Sequence, residues 1–172
     1  MLRRTVLVVL TSLALSACGY SFVRYGAGLG DVRRIAIHGI TNDSFEPGVE
    51  TLVSQALSEE FMRRGALRLV DTTETADLVI TGSVKSVEVR GRSFSSILFA
   101  LEYEVRMQLA LSLKRRDGTE VAIDPNALVD SERYLASSDI EVTRTNREEA
   151  LRRLAGVLAG RVHDALYERI AP

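Results

Sequence analysis

Residues 101–113 decide the fold, and they read LEYEVRMQLALSL. Every odd-numbered residue of this stretch is apolar or aromatic, whereas the even-numbered residues are polar or charged, with the exception of Ala110. Successive side chains of a strand point to opposite faces. A period of two sustained over thirteen residues therefore predicts one long strand with a buried face and a solvated face.

Further strands are predicted on both sides of this stretch. Residues 77–90, DLVITGSVKSVEVR, predict a second long strand with a bulge near Gly82. Its candidate inward residues are Val79, Val84, Val87 and Val89. Asp117 and Gly118 predict a hairpin turn. Shorter strands are expected at residues 34–40, 66–70, 120–123 and 127–134.

Two amphipathic helices complete the pattern. Apolar residues recur at helical spacing over residues 47–64, and Gly65 follows as a stop signal. The second helix is expected from Asn146 to about Arg169. Its expected capping box pairs Thr145 with Glu148 or Asn146 with Glu149.

The order strand, helix, strands, helix predicts an α+β fold. We expect a two-layer sandwich in which both helices pack on one face of a mostly antiparallel, mixed sheet of four to five strands. The strands on either side of the first helix can pair in parallel through a right-handed crossover.

The amino terminus has the layout of a secretory signal. Two arginines precede the apolar run TVLVVLTSLAL at residues 5–15, and the small residues Ser16 and Ala17 follow. This run is too short to cross a bilayer of about 30 Å as a helix. Leu-Ser-Ala-Cys, ending at Cys18, resembles the bacterial lipobox. The alternative is an ordinary signal peptide followed by an incidental cysteine.

The lipobox resemblance divides the chain into three parts. Residues 1–17 are then the signal peptide, and Cys18 carries an S-diacylglycerol group and an N-linked acyl chain such as palmitate. Residues 18–31, with glycines at positions 26, 28 and 30, form a lipidated tether. Residues 32–172 form one domain, which has no other cysteine and so no internal disulfide.

Composition and site chemistry argue against an enzyme and a nucleic-acid-binding protein. The net charge is −1, without the basic surplus typical of nucleic-acid-binding domains. His38 and His163 are the only histidines, and with the single cysteine reserved for lipid we expect no metal site and no cofactor beyond that lipid. Glu102 and Glu104 share the wet face of the long strand, where solvated structural charges are expected.

Several short motifs occur in an order that resembles the LPS-assembly lipoprotein family LptE. They are Cys18-Gly19-Tyr20, IAI at 35–37 with Asn42, LVSQALSEEFMRRG at 52–65, LVD at 69–71, ADLVITG at 76–82, LEY at 101–103, RRDG at 115–118 and NREEAL at 146–151. The resemblance covers essentially the whole mature chain. One departure lies around Asp124 and Pro125, where many relatives have a tryptophan and this chain has none.

The resemblance implies a lipoprotein without catalytic activity. Members of the family plug and help fold the LptD β-barrel and bind lipopolysaccharide (LPS) on its way to the outer leaflet, while their acyl chains hold the inner leaflet of the outer membrane. Gly19 follows the anchor where an aspartate would favour inner-membrane retention, so the outer membrane is the expected location.

Two pairs of arginines are candidate LPS contacts. Arg90 and Arg92 are expected on a turn between the two long strands, where guanidinium groups suit the phosphates of lipid A. Arg115 and Arg116 form a second basic hairpin tip. The alternative is that charged side chains at turns are merely solvated.

Two other lipoprotein classes share parts of the pattern. The first strand, the helix and the Ala-Asp-rich strand are also similar to peptidoglycan-synthase activators and to subunits of curli-type secretion pores. In a secretion pore, the apolar row of residues 101–113 would face lipid. A regulatory or secretion lipoprotein is therefore the alternative prediction.

Overall fold

This computed structural model describes residues 31–65, 67–94 and 100–170. The predicted signal peptide, Cys18 and all of the predicted tether except Asp31 lie outside the described residues. Within the described part of the chain, no helix combines the length and apolarity needed to cross a membrane.

The strands and helices follow one another along the chain in the predicted order. The strands are β1 Arg34–Asn42, β2 Arg68–Leu69, β3 Leu78–Phe94, β4 Ala100–Arg115, β5 Glu120–Val121 and β6 Val129–Leu135. The helices are α1 Val49–Arg64 and α2 Ile140–Ile170, and a short 3-10 helix, Pro125–Leu128, precedes β6. The residues at the start of the predicted strand 127–134 therefore belong to this 3-10 helix instead.

The sheet is mixed, and its order is β2-β1-β3-β4-β5, with β6 pairing with β4 as well. β1 pairs in parallel with β2 and β3, and β4 pairs antiparallel with β3, β5 and β6. The α+β class and the two helices against a mixed sheet are confirmed. The sheet has six strands where four to five were expected, because β2 and β5 are two-residue strands at its margins.

The alternation in β4 builds one wall of the core. Val105, Met107, Leu109 and Leu113 are all at most 3% exposed, and they pack in one cluster with residues of both helices. The helical members of that cluster include Val53, Leu57, Phe61, Leu154, Leu158 and Leu166. The long strand with one buried face is thus confirmed.

The prediction of the inward residues of β3 is confirmed for Val84 and Val87, which belong to or pack against the core, and is wrong for Val79. Leu78 and Ile80 are fully buried, so Val79 lies on the opposite face and its assignment as an inward residue was wrong. The register shifts between Val84 and Ser86, which changes the inward parity from even to odd residue numbers. The physical reason is a bulge three residues beyond the glycine that suggested it.

Helix α2 begins at Ile140, six residues before the predicted start. Asp139 caps it, because its Oδ1 accepts a hydrogen bond from the Glu141 N–H at 2.8 Å. The predicted capping box was therefore wrong, since its residues lie inside the helix. Asn146 instead donates from Nδ2 to the Leu135 carbonyl at 2.9 Å, which ties α2 to the end of β6.

Candidate functional site

The four predicted arginines lie at opposite ends of the β3–β4 hairpin. Leu78 pairs with Arg115 at one end, here named the proximal end, and Phe94 pairs with Ala100 at the other, the distal end. Arg90 is twelve residues along β3 from Leu78, a separation of about 40 Å at the usual strand rise. The two pairs therefore cannot contact one small ligand together.

Asp77 organises the proximal end. Its Oδ2 accepts hydrogen bonds from the backbone N–H groups of Arg33 at 3.1 Å and Arg34 at 2.9 Å. Its Oδ1 accepts one from Arg34 Nη2 at 2.9 Å and lies 3.0 Å from Arg116 Nη2. The hydrogen bond from the Arg34 side chain, with those two backbone donors, outweighs desolvation and lowers the pKa of Asp77 from 3.8 to about 2.

Arg115 and Arg116 are engaged in the same network. Arg116 donates to the carbonyls of Ala76 at 2.9 Å and Thr75 at 3.0 Å, and Arg115 Nη1 donates to Asp31 Oδ1 at 2.9 Å. These bonds join β4 and its turn to the starts of β1 and β3. Both proximal arginines therefore already have structural partners, although the Arg116 side chain remains 53% exposed.

Arg90 and Arg92 lie inside β3, so their predicted placement on a turn was wrong. β3 continues to Phe94, because its pairing with β4 persists through two register irregularities. Arg90 Nη2 lies 2.7 Å from Glu88 Oε2, and Arg92 Nε lies 3.5 Å from Glu104 Oε2. The two arginine side chains are 74% and 49% exposed. Such exposed pairs contribute little energy, so a phosphate group can replace the carboxylate.

On the solvated face around these arginines, acidic and basic residues lie opposite each other on neighbouring strands. Glu88 of β3 pairs with Arg106 of β4, and Arg90 pairs with Glu104, which in turn faces Arg133 of β6. Arg106 and Arg133 form no ion pair with any residue in the described ranges. Sequence analysis missed both as site residues, although the even position of Arg106 in the alternation already placed it on this face.

Exposed apolar side chains surround the same end of the hairpin. Phe94 is 57% exposed and Leu101 is 50% exposed, and Leu135 of β6 is 66% exposed. Ile140 at the start of α2 is 81% exposed. Phe94 and Leu101 lie on the helix-side face of this end, since the Phe94 ring lies over Gly91, which pairs with Tyr103, whereas Arg90 pairs with Glu104 on the solvated face. Exposed apolar surface of this kind is typical of interaction sites. The distal end is therefore the stronger candidate site.

The buried histidine is part of the core. His163 is 1% exposed, and its ring centroid lies 4.6 Å from that of Tyr167 and 5.3 Å from that of Phe61. Burial lowers the pKa of His163, which favours a neutral ring. Among the residues that the structure describes, no cluster of three or more His, Cys, Asp or Glu side chains could hold a metal ion.

Comparison with known proteins identifies similar chains. The family model described as LptE, lipopolysaccharide-assembly, matches residues 32–166. No curated protein sequence matches the chain. The similar solved structures include the rare lipoprotein B from Shewanella oneidensis, with a TM-score of 0.54 and 13% identity over 79% of this chain and 95% of that chain.

Two further solved structures share the fold. Lipoprotein B from Nitrosomonas europaea has a TM-score of 0.52 and 16% identity over 87% of this chain and 96% of that chain. A lipoprotein from Caulobacter crescentus has a TM-score of 0.51 and 16% identity over 84% of this chain and 93% of that chain. At these identities the structures support the fold alone.

Proposed function

Because the chain belongs to the LptE family of lipopolysaccharide-assembly proteins, we propose that it is an outer-membrane lipoprotein that plugs and helps assemble an LptD-type β-barrel. In this proposal it also binds LPS during insertion of that lipid into the outer leaflet. The observation that carries the proposal is the family match over residues 32–166, which spans nearly all of the described domain. The family acts in LPS assembly without catalysis.

The lipid anchor positions the domain at the inner leaflet of the outer membrane. Cys18 carries the acyl groups, and stable anchoring requires more than one chain. The thirteen residue steps from Cys18 to Asp31 reach at most about 45 Å. The domain can therefore enter the lumen of a barrel in the same membrane while its anchor stays in the leaflet.

The solvated face of the sheet suits the interior of a large barrel. Outer-membrane barrels have a polar interior, and this face presents charges of both signs on Glu88, Arg90, Glu104 and Arg106. The helices cover the other face and bury the apolar row of β4. That burial favours the plug over a secretion-pore subunit, because a pore would need the same row to face lipid.

The distal end supplies the lipid contacts in this proposal. Arg90 and Arg92 donate to the phosphates of lipid A, for which forked guanidinium donors are well suited. Phe94 and Leu101 are exposed at the same end of the two strands, on the helix-side face, and offer apolar surface to the acyl chains. Arg115 and Arg116 stay secondary candidates, since their donors already hold the proximal network together.

Affinity purification tests the partner. The full lipoprotein with a carboxyl-terminal tag is extracted from membranes in detergent, and co-purifying proteins are identified by mass spectrometry. A stoichiometric, one-to-one complex with an LptD-type barrel is the expected result. A ring of identical subunits would support the secretion-lipoprotein alternative, and a preparation without any large barrel would contradict the proposal.

A Cys18→Ala variant tests the anchor. Without the lipidated cysteine, the protein is expected to be lost from the outer-membrane fraction, whereas the unchanged chain should fractionate with outer membranes. Mass spectrometry of the amino-terminal peptide should show the added diacylglycerol and acyl masses on Cys18. An unmodified Cys18 in the mature protein would exclude the lipid anchor.

A further inference from the structure

In the distal half of the sheet, where β3 runs from Ser86 onward, the two edge strands are β6 and β3. They differ in how many of their outer backbone groups form hydrogen bonds. On β6, side chains form hydrogen bonds with backbone carbonyls. Arg161 Nη1 donates to the Val129 carbonyl at 3.0 Å, and Asn146 Nδ2 donates to the Leu135 carbonyl at 2.9 Å. The Asp130 carboxylate accepts from the Ser131 N–H at 2.8 Å. Such contacts block pairing with another chain, which an open strand edge invites.

The outer edge of β3 is open in the distal half. β1 pairs with β3 only as far as Asn42 and Val84, and the Asp43 N–H donates to the Val84 carbonyl at 2.9 Å as the last backbone bond on this side. From Ser86 to Gly91, β3 pairs with β4 in unbroken register. Over these six residues the outer edge makes no hydrogen bond with any residue that the structure describes.

The side chains of this part of β3 are also exposed on both faces of the sheet. Residues 88–92 are all exposed, although alternate residues of a strand point to opposite faces. Val89 belongs to the helix-side row, because it pairs with the fully buried Val105, yet it is 39% exposed. A six-residue segment with regular register is long enough to pair with one added strand of typical length.

We propose that the outer edge of β3 from Ser86 to Gly91 binds an extended segment of the barrel partner by β-strand addition. The proposal rests on the proposed function, since the barrel supplies the segment. Main-chain hydrogen bonds provide affinity in this mode of recognition, and pockets for alternate side chains provide specificity. The partner segment alternates apolar and polar residues, and its apolar residues lie beside Val87 and Val89.

Charge complementarity specifies the other row of the added strand. On the solvated face, Glu88 lies opposite Arg106 and Arg90 opposite Glu104 in β4. Continuing this pattern outward places a basic residue of the partner opposite Glu88. Oppositely charged cross-strand neighbours stabilise the pairing of two strands.

An exposed aromatic residue marks the start of the open edge. Phe45 is fully exposed, at 104% of its reference area, in the loop that begins where β1 leaves β3. The loop is held in place: Asn42 Nδ2 donates to the Glu46 carbonyl at 2.7 Å, and the Ser44 N–H donates to Asn42 Oδ1 at 2.9 Å. An aromatic side chain presented on a preorganised loop is a suitable anchor for a protein partner.

The tether of the chain itself has no strand-like stretch that can pair along this edge. Its most strand-like stretch is YSFVRY at residues 20–25, which leaves six residue steps to Asp31, or at most about 21 Å. Ser86 is eight residues beyond Leu78, which pairs with Ile35, so the edge begins about 26 Å further along the sheet. Asp31 lies on the far side of Ile35, and the gap is larger still.

Site-specific photocrosslinking in the intact lipoprotein–barrel complex tests the proposal. A benzophenone amino acid replaces Ser86 or Glu88, which lie two residues apart on the solvated face of β3. The matched controls carry it at Ser131 or Arg133, which have the same spacing on β6. Adducts from positions 86 and 88 are expected on one barrel segment, at residues two apart, because paired strands advance together. Adducts from the control positions should not fall on barrel residues that are two apart in one segment.

Hydrogen exchange of the same complex provides a second readout. The amides of residues 86–91 should exchange at least tenfold more slowly in the complex than in the lipoprotein alone. Adducts scattered over unrelated barrel elements, a self-adduct between two copies, or an adduct with lipid would overturn strand addition while leaving the complex intact. Absence of the barrel from the preparation would instead overturn the proposed function, so the two failures are distinguishable.

Discussion

At the proximal end of the β3–β4 hairpin, Arg116 donates to two backbone carbonyls and lies 3.0 Å from the Asp77 carboxylate. At the distal end, Arg90 makes one ion pair with Glu88 and remains 74% exposed. Both are arginines near the end of a hairpin, and the sequence offers the same argument for each as a phosphate ligand. The difference lies in the acceptors that the protein itself supplies, and these decide which guanidinium is available to a ligand.

The backbone of β3 shows the same contrast. In the proximal half it runs between β1 and β4 and contributes Leu78, Ile80 and Val84 to the core, each 0% exposed. In the distal half it continues beyond β1 and is exposed over residues 88–92. The proximal half therefore contributes to the core, whereas the distal half has two exposed faces and an unpaired outer edge in the described part of the chain.

Replacing a glycine of β3 with alanine should have very different effects on stability in the two halves, and this is the largest difference that we expect. A Cβ at Gly82 would lie 2.1 Å from the Ala110 carbonyl oxygen, and the φ of +153° disfavours any side chain. Gly82→Ala is expected to lower the free energy of unfolding by at least about 3 kcal/mol. A Cβ at Gly91 would instead meet the ring of Phe94 at 2.7 Å, and that exposed ring can rotate away. Gly91→Ala should therefore cost less than about 1 kcal/mol.

Urea denaturation followed by circular dichroism measures both variants. The wild-type chain and the two variants are compared at the same pH and protein concentration. Equal losses in the two variants would show that the distal half is as tightly constrained as the proximal half, which would remove the structural basis of the comparison.

Asp77→Asn should have the next largest effect. The amide keeps the shape of the side chain but lacks the charge that accepts bonds from Arg33, Arg34 and Arg116. Loss of these charge-assisted bonds is expected to lower the free energy of unfolding by about 2 kcal/mol. Asp117→Asn is the matched control, since that exposed carboxylate mainly accepts a bond from the Thr119 N–H in the turn. A control variant as unstable as Asp77→Asn would contradict the role given to the proximal network.

The same carboxylate should give a pH signature. The folded pKa of Asp77, about 2, is below its ordinary value of 3.8. Its stabilisation is therefore fully present above pH 3.8 and is lost as the pH falls from 3.8 towards 2. The difference in unfolding free energy between the wild type and Asp77→Asn should be constant above about pH 5 and should narrow below about pH 4. A difference that does not change with pH would mean that the Asp77 charge contributes nothing.

Local sequence patterns predicted much of the fold because the physics behind them is local. The alternation in residues 101–113 gave the correct face for Val105, Met107 and Leu109, and Gly65 correctly marked the end of α1. The inward residues of β3 were predicted correctly at Val84 and Val87 but not at Val79, because nothing in the sequence placed the bulge after Val84 instead of at Gly82. The start of α2 was missed because residues 140–145, IEVTRT, are rich in β-branched side chains, which favour strands over helices, and have no apolar stripe at helical spacing.

The candidate site was only partly predictable, since its properties depend on distant residues. Arg34 and Asp77 are 43 residues apart in the chain, and Arg92 is separated from its partner Glu104 by the hairpin connection. Ion pairs of this kind follow from strand register, which local composition does not specify. The sequence therefore placed arginines near both ends of the hairpin but could not tell which pair the protein already satisfies.

The most direct test of this account compares the affinity for purified LPS of two double variants of the mature lipoprotein. Arg90→Ala/Arg92→Ala should raise the Kd at least tenfold, equivalent to about 1.4 kcal/mol, while leaving the melting temperature nearly unchanged. Arg115→Ala/Arg116→Ala should lower the melting temperature and leave the Kd within about twofold of the wild type. If the distal variant bound LPS like the wild type, or if the folded proximal variant lost binding equally, the distal end would not be the lipid site.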